Sequence, residues 1–369
     1  MINCSGYIPV VFAINNDYVQ QLSVSLISML ENSSKENKFI INILSTNISD
    51  KNKNIIKYLN YLNNNTQFNF IDATQLVEKF NIENYMSRRK NYNYISIETY
   101  FRFFIAELLP QYDKVIYLDA DLIIMDDLSK LYNFNIDDYA IGAIQDMNTE
   151  ISVKHENFIT SKNLSVREYF LNILKKKSLK YFNAGVLLLN LKKFREENIL
   201  NELLEFTEQN SPLEFQDQDI LNVVLEERVK YLDSKWNLLK DLDFYISYQN
   251  DKNRIKEIKK CFKNPGIIHY IGENKPWLYK EKFWYSFEGI KLWWKYYRMS
   301  PLYNSKNELI LKAINYERFA KKWFTYIDVS LFNHTIIRIR QSDKRLKFEL
   351  FFIKITLKLN KYEKLDMGI

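Results

Sequence analysis

The sequence contains few cysteines and few glycines for its length of 369 residues. Cys4 and Cys261 are the only cysteines, too few for a disulfide framework or a thiolate zinc site, and two thiols suit a reducing compartment. The seven glycines form neither a GxGxxG nor a GxxxxGK pattern. This argues against a dinucleotide-dependent oxidoreductase and against a P-loop enzyme.

Long apolar runs and a secretory leader are also missing. No stretch approaches 18 consecutive apolar residues, and the opening MINCSGYIPVVFAINND lacks the basic segment and the cleavage site of a signal peptide. With 47% hydrophobic residues, the chain can still fill the core of one large domain or two ordinary ones. We therefore expect a folded cytoplasmic protein.

The basic excess is confined to the C-terminal part of the chain. Residues 301–369 contain 14 Lys and Arg against 7 Asp and Glu, which leaves 38 of each sign in residues 1–300. A nucleic-acid footprint should run across the folded body, so we expect no nucleic-acid partner. A basic, aromatic tail on a neutral body suggests an anionic membrane surface instead.

Strand-like and helix-like segments alternate along the first part of the chain. Apolar, β-rich runs at 7–14, 38–46 and 67–73 are separated by segments of helical period at 16–33 and 49–64. Later strand candidates lie at 139–144, 182–190 and 266–272. This alternation predicts an α/β fold whose mostly parallel sheet is covered on both faces.

After Trp277 the sequence becomes crowded with aromatic residues, and this change predicts a second region. We place the boundary between residues 300 and 308, which gives a domain of residues 1–300 and a C-terminal extension of residues 301–369. The segment NELILKAINYERFAKKWFTYI (307–327) collects apolar residues near one helical face, as expected of a helix in a membrane interface. The extension is therefore predicted to be helical and to hold the protein peripherally on the inner face of the cytoplasmic membrane. Packing of the same stripe on the first domain is the alternative.

Two acidic residues interrupt an otherwise apolar run, IYLDADLII at 116–124. Asp119 and Asp121 are two positions apart, so at the carboxyl end of a strand they can converge on one point. Two buried carboxylates repel one another unless they share a cation, and oxygen ligands suit Mg²⁺ or Mn²⁺. The alternative is that one Asp caps the following turn and the other faces water.

Two further stretches have polar residues at the start of an element. FNAGVLLLN (182–190) places a small pair, Ala184-Gly185, at the head of a strand, where the backbone of a strand can approach a ligand closely. FQDQDILN (215–222) places three polar residues in the first turn of a helix, where carboxylates are favoured by the helix dipole. Simple helix capping is the alternative for the second stretch.

The stretch IIHYIGENKPW (267–277) ends an apolar strand with a histidine. His269 could be a buried core residue, which is the usual role of a lone histidine at such a position. Lys275 follows a glycine-containing turn and could neutralise a phosphate group.

In combination, these motifs resemble glycosyltransferase family 8, the retaining enzymes that include bacterial lipopolysaccharide galactosyl- and glucosyltransferases and glycogenin. The resemblance rests on FAINNDY, YLDADLII, FNAGVLLLN, QDQDILN and HYIGENKPW, which span residues 12–277 in the family's order. It implies the Rossmann-like, nucleotide-sugar-binding GT-A fold and a divalent ion, usually Mn²⁺, that bridges the donor diphosphate.

The resemblance also implies roles for single residues. The metal ligands match Asp119, Asp121 and His269. The stretch that holds the uridine matches Ala13, Asn15, Asp17 and Tyr18, with the tyrosine stacking on the base and Asn15 standing where close relatives carry Asp. The positions around the donor sugar match Arg102, Asp146, Asn183, Ala184, Asp217 and Gln218. The diphosphate-binding turn matches Gly272 and Lys275.

The function expected on this basis is metal-dependent, retaining transfer of glucose or galactose from a UDP-sugar to a saccharide or lipid-linked glycan acceptor. Retention allows either front-face attack by the acceptor or a covalent intermediate, for which Asp217 is the nearest matching carboxylate and Gln218 is a poor nucleophile. One alternative is a phosphotransferase of the haloacid dehalogenase type, whose D-x-D also follows an apolar strand. The other is a catalytically silent, membrane-docked saccharide-binding protein.

Overall fold

The computed structural model describes ten segments of the chain and divides it into two compact units, Met1–Tyr303 and Asn304–Ile369. The described residues are 6–80, 96–155, 158–239, 242–272, 275–277, 287–304, 324–331, 334–342, 345–350 and 353–358. Each unit is considered by itself below.

In the described part of the first unit, ten strands form two sheets. They are β1 Tyr7–Ala13, β2 Lys38–Ser45, β3 Thr66–Asp72, β4 Lys114–Leu118, β5 Leu122–Ile124, β6 Ile141–Gln145, β7 Phe182–Asn190, β8 Val229–Tyr231, β9 Leu238–Leu239 and β10 Ile267–His269. The large sheet has the strand order β3-β2-β1-β4-β7-β6-β8, and the small one has the order β5-β10-β9. The run 116–124 is therefore two strands, one in each sheet, that are broken at Asp119–Asp121.

Strand β7 alone runs against the direction of the rest of the large sheet. It pairs antiparallel with β4 and β6, whereas the β1–β2, β2–β3, β1–β4 and β6–β8 pairs are parallel. Because of this reversal, the start of β7 lies at the same edge as the carboxyl ends of β4 and β6. The predicted mostly parallel, mixed sheet is confirmed.

Helices cover this sheet between its strands. The α-helices are Val19–Asn32, Asp50–Tyr58, Thr74–Lys79, Ile105–Leu108, Leu128–Tyr132, Met147–Ser152, Val166–Glu168, Leu191–Glu196, Ile199–Asn210, Asp217–Val224, Leu242–Tyr248, Lys252–Lys263 and Phe287–Tyr297. The 3₁₀ helices are Asn16–Tyr18, Leu59–Leu62, Ile97–Phe104 and Ser234–Asn237, and Tyr169–Ile173 is a π-helical turn. None of the described helices has both the length and the apolar character of a transmembrane span.

The described part of the second unit is a sheet, although we expected the extension to be helical. Its strands are β11 Phe324–Leu331, β12 His334–Ser342, β13 Arg345–Leu350 and β14 Ile353–Lys358, paired antiparallel in chain order. The alternation of apolar and basic residues in HTIIRIRQS and IKITLK has the period of a strand. Residues 307–323 of the predicted interfacial helix lie outside the described residues, and its last four residues begin β11.

The register of this sheet separates two kinds of residue. Residues directly opposite one another across an antiparallel pair share a face. One face is apolar except for Gln341, which lies opposite Phe324 at one end of the sheet. The other residues of this apolar face are Ile327, Val329, Ile337, Ile339, Leu346, Phe348, Leu350, Ile353, Ile355 and Leu357. The other, here called the basic face, collects Arg338, Arg340, Arg345, Lys347, Lys354 and Lys358 with Asp328 and Glu349.

Candidate active site

The two acidic residues of the YLDADLII motif lie on the connection between the two sheets. The N–H of Asp119 donates to Gly185 O at 2.8 Å, and the N–H of Tyr270 donates to Asp121 O at 3.0 Å. Ser25, buried in the helix Val19–Asn32, donates to Ala120 O at 2.6 Å or to Leu122 O at 2.8 Å. The connection is thus fixed from three sides, which gives the carboxylates defined positions.

The two carboxylates meet His269, which ends β10. His269 Nε2 lies 3.2 Å from Asp121 Oδ1 and 3.8 Å from Asp119 Oδ2. One ligand atom from each of the three residues lies within 4.8 Å of the others. The set of two carboxylates and an imidazole suits Mn²⁺ or a similar divalent ion, so the residues fit the metal that the motifs imply.

Gly185 provides the room for this cluster. A Cβ on Gly185 would lie 2.3 Å from His269 Cε1 and 2.7 Å from Asp119 Oδ2, closer than carbon and oxygen atoms can approach. The small residue at the head of β7 was expected to admit a ligand. It admits the ligating side chains themselves.

Each carboxylate of the cluster also has a cationic neighbour. The buried Lys275 contacts Asp121 Oδ2 and Tyr270 O. Burial would raise the pKa of Asp121, but the ammonium group of Lys275 outweighs it and holds that pKa below its usual value. Asp119 Oδ1 accepts from Tyr117 at 2.9 Å and from Arg102 at 3.1 Å, which leaves Oδ2 directed toward His269.

Arg102 connects the cluster to the QDQD motif. Its guanidinium is buried, pairs with Asp217 Oδ2 at 3.2 Å through Nε, and lies over the ring of Tyr117 at 4.6 Å. Burial raises the pKa of Asp217 to about 6 although Arg102 acts against that rise. Gln218 Oε1 accepts from Ala184 N at 2.9 Å. The QDQD and FNAG motifs are therefore in direct contact.

The other acidic residue of this motif, Asp219, has a structural role. It is fully buried and accepts from Tyr181 at 2.7 Å, from Tyr169 at 2.8 Å and from the N–H of Phe215 at 2.8 Å. These bonds anchor the start of the helix Asp217–Val224. Sequence alone does not distinguish its role from that of Asp217.

The residue that precedes this helix has an unusual backbone conformation. Gln216 has φ 48° and ψ −121°, a region that residues other than glycine rarely adopt. Its Oε1 is buried and has no hydrogen-bond partner among the residues that the structure describes. Such strain beside Asp217 and Gln218 is typical of functional sites.

The predicted uridine-binding residues lie at the end of β1 on the same edge. Ala13 ends the strand, and Asn15 Oδ1 accepts from Asp17 N at 3.2 Å, so Asn15 caps the turn that follows. Tyr18 is half-buried, and its ring meets Trp277 edge-on with centroids 6.4 Å apart. Burial, followed by the charges of Asp121 and Asp119, raises the pKa of Tyr18. Asp17 is exposed.

Asn183 and Asp146 are linked to His269 through one intervening side chain. Asn183 Nδ2 donates to Asp146 Oδ2 at 3.0 Å, and Asp146 Oδ1 caps the helix Met147–Ser152. Asn237, in the 3₁₀ helix Ser234–Asn237, joins Asn183 to His269. Nothing in the stretch SKWNLL singles Asn237 out in the sequence. Gly272, three positions before Lys275, has φ 71°, a conformation that favours glycine.

Comparisons with known proteins give relatives of this chain in sequence and in structure. Residues 9–281 match the model of Glycosyl transferase family 8. A Haemophilus influenzae protein assigned as a glycosyltransferase is 31% identical over 73% of this chain and 72% of its own. The lipopolysaccharide 1,3-galactosyltransferase of Salmonella typhimurium is 30% identical over 51% of this chain and 50% of that enzyme. Galactosyltransferase LgtC, solved with donor and acceptor sugar analogs, aligns with a TM-score of 0.62 and 26% identity over 81% of this chain and 98% of its own. The predicted GT-A fold is confirmed.

Proposed function

This chain belongs to glycosyl transferase family 8, and we propose that it transfers glucose or galactose from a UDP-sugar to a saccharide hydroxyl with retention of anomeric configuration. The observation that carries the proposal is the meeting of Asp119, Asp121 and His269 beside Lys275. The similarity to a lipopolysaccharide galactosyltransferase supports a saccharide or lipid-linked glycan of the cell surface as the acceptor.

The charges of the site suit a divalent ion and a diphosphate. Asp119, Asp121 and His269 would hold Mn²⁺ or Mg²⁺, which when bound stabilises the negative charge that develops on the leaving UDP. Among the described residues, the carboxylates of Asp119, Asp121 and Asp217 are paired with only two cationic side chains, so a divalent ion would change the net charge of this group from −1 to +1. Lys275, following the turn at Gly272, would then direct its ammonium group to a phosphate oxygen.

The residues around the sugar favour front-face attack by the acceptor. Asp217, the nearest matching carboxylate, is ion-paired with Arg102, and its raised pKa leaves a fraction of it protonated near pH 6. Both features weaken it as a nucleophile. We propose that Arg102 and Asp217 bind sugar hydroxyls, that Gln218 and Ala184 form the wall against which the sugar lies, and that Asn183 and Asp146 support that wall.

A panel of UDP-sugars tests the proposal directly. Each donor is incubated with the full-length protein and Mn²⁺, with a chelator as the control, and UDP release is measured with and without saccharide acceptors. Release from UDP-glucose or UDP-galactose that the chelator abolishes is expected. Binding of UDP without release would indicate a silent saccharide-binding protein, and release of inorganic phosphate would indicate a phosphotransferase.

Replacement of Tyr18 tests the uridine site. Tyr18→Ala is expected to raise the donor KM by a factor equivalent to about 1–3 kcal/mol, because base–aromatic stacking on other scaffolds has that magnitude. The ring is half-buried, so the melting temperature without UDP should change little while its increase on adding UDP becomes smaller. Tyr58→Ala, at a side chain 64% exposed, is the matched control. Unfolding of Tyr18→Ala would instead indicate that Tyr18 is a core residue.

We also propose that the extension docks the protein on the anionic inner face of the cytoplasmic membrane through its basic face. That face has six basic residues against two acidic ones, and all six lie opposite the apolar face. Each basic residue that reaches anionic lipid contributes about 1 kcal/mol. The apolar face would then be left to pack against protein.

Charge reversal tests the docking. The full-length triple variant Arg338→Glu, Arg340→Glu, Lys347→Glu is expected to lose salt-sensitive co-sedimentation with phosphatidylglycerol vesicles and to keep donor hydrolysis. Its control has the same charge change at three exposed lysines of the helix Lys252–Lys263, in Lys252→Glu, Lys256→Glu, Lys260→Glu. If the control loses binding and the triple variant keeps it, the basic face is not the docking surface.

A further inference from the structure

A row of buried side-chain amides lies behind His269. Asn237 Oδ1 is 3.0 Å from His269 Nδ1, and Asn237 Nδ2 donates to Asn183 Oδ1 at 2.9 Å. The exposed fractions of His269, Asn237 and Asn183 are 3%, 1% and 7%, so water has little access to these bonds. Each of these side chains therefore depends on its neighbour for a hydrogen-bond partner.

One backbone group fixes which side chain donates and which accepts in each hydrogen bond along this row. The N–H of Gly185 can only donate, and it meets Asn183 Oδ1 at 3.0 Å. Asn183 must then direct its Nδ2 at Asp146, as it does. Asn237 meets the same Asn183 oxygen and must donate to it, so its own oxygen faces His269. An oxygen that can only accept requires a proton on His269 Nδ1.

The consequence concerns the other ring nitrogen. Nε2 is the atom that faces Asp119 and Asp121. An imidazole nitrogen ligates a metal only without its proton, and the partner of the second nitrogen decides which one that is. We propose that Asn237 is a positioning residue that keeps the proton of neutral His269 on Nδ1 and so presents an unprotonated Nε2 to the ion site. This inference rests on the proposed metal-dependent function.

Binding of Mn²⁺ alone to the full-length protein, measured by the loss of the free-ion electron paramagnetic resonance signal, gives the first test. Asn237→Ala is expected to weaken Mn²⁺ binding about 10–100-fold, as the loss of a residue that hydrogen-bonds to a metal ligand does at other metal sites. Asn42→Ala is the matched control, because it removes from β2, two strands away from β4, a fully buried amide that bonds to Val10 O and Ile40 O. The control is expected to bind Mn²⁺ normally.

The ring protons give the second test, which does not require metal. The chain has three histidines, so their ring nitrogens can be observed by NMR after ¹⁵N-histidine labelling, with the His269 signals assigned by their loss in His269→Ala. At alkaline pH the neutral His269 ring is expected to carry its proton on Nδ1. Asn237→Asp, which keeps an acceptor, should retain that proton position, and Asn237→Ala should not.

Two results would overturn the inference. One is a neutral ring with its proton on Nε2 in the unmodified protein, and the other is an Asn237→Ala variant with unchanged ring signals and unchanged Mn²⁺ affinity. His269→Ala separates this failure from that of the proposed function. If His269→Ala loses Mn²⁺ binding and Asn237→Ala binds normally, only the proposed role of Asn237 is wrong. If His269→Ala itself binds Mn²⁺ normally, the proposed metal site is wrong.

Discussion

Asp119→Asn is expected to reduce metal-dependent transfer by about a thousandfold while the protein melts close to its original temperature. The reduction follows because the ion supplies several kcal/mol of stabilisation to the transition state, and each 1.36 kcal/mol is a factor of ten in rate. The fold should persist because the side chain of Asp119 is 28% exposed and Arg102 keeps its second partner, Asp217. UDP release and thermal melting measure the two effects separately.

Asp121→Asn should behave differently. It also removes a metal ligand, but it leaves the buried ammonium of Lys275 without its carboxylate. Loss of one partner of a buried ion pair destabilises a protein by about 3–5 kcal/mol. The double variant Asp121→Asn, Lys275→Met should therefore recover part of the melting temperature without recovering transfer. Near-normal turnover of Asp119→Asn in the presence of a chelator would show that no metal acts at this site.

Gly185→Ala is expected to abolish Mn²⁺ binding and transfer by adding a single methyl group. The new carbon would overlap His269 and Asp119, and β7 is buried along its whole length between β4 and β6, so the backbone has little freedom to shift. The ligating side chains must move instead. Overpacking of this kind also costs about 1–3 kcal/mol of stability.

Gly142→Ala is the control for that loss of stability. Gly142 lies on the neighbouring strand β6, and a Cβ there would press on Leu232 at 3.0 Å and on Ile136 at 3.2 Å without touching a ligand. Both variants should melt at lower temperature, and Gly185→Ala alone should lose Mn²⁺ affinity. Equal Mn²⁺ affinity in the two variants would mean that Asp119 and His269 do not form the site together.

The sequence predicted the parts of the site that are carried by short motifs. Asp119 and Asp121 could be recognised because carboxylates in an apolar run are costly, and His269 because it ends such a run. Their meeting could not be read from spacing, since it depends on the break between β4 and β5 and on a strand about 145 residues later in the chain. The resemblance of the ordered motifs to a known family supplied that step.

Other parts of the structure gave either no local signal or two conflicting ones. Asn237 is one of many asparagines in the chain, and its importance comes from two contacts that only the fold creates. The extension was interpreted from the helical period of residues 307–327, although HTIIRIRQS and the later RLKFEL and IKITLK alternate with period two. Both patterns occur in one charged, aromatic segment, and the pairing of four successive strands decided the outcome for the described part.

The break at Ala120 has a mechanical consequence. Asp119 follows β4 of the large sheet, whereas Asp121 precedes β5 and His269 ends β10 of the small one. An ion held by the three side chains would thus be a crosslink between two separate sheets. Because a ligand that binds only the folded state opposes opening of the parts it joins, the small sheet should be the region whose local unfolding responds most to metal. Removal of the ion would then weaken the connection between the two sheets as well as empty the metal site.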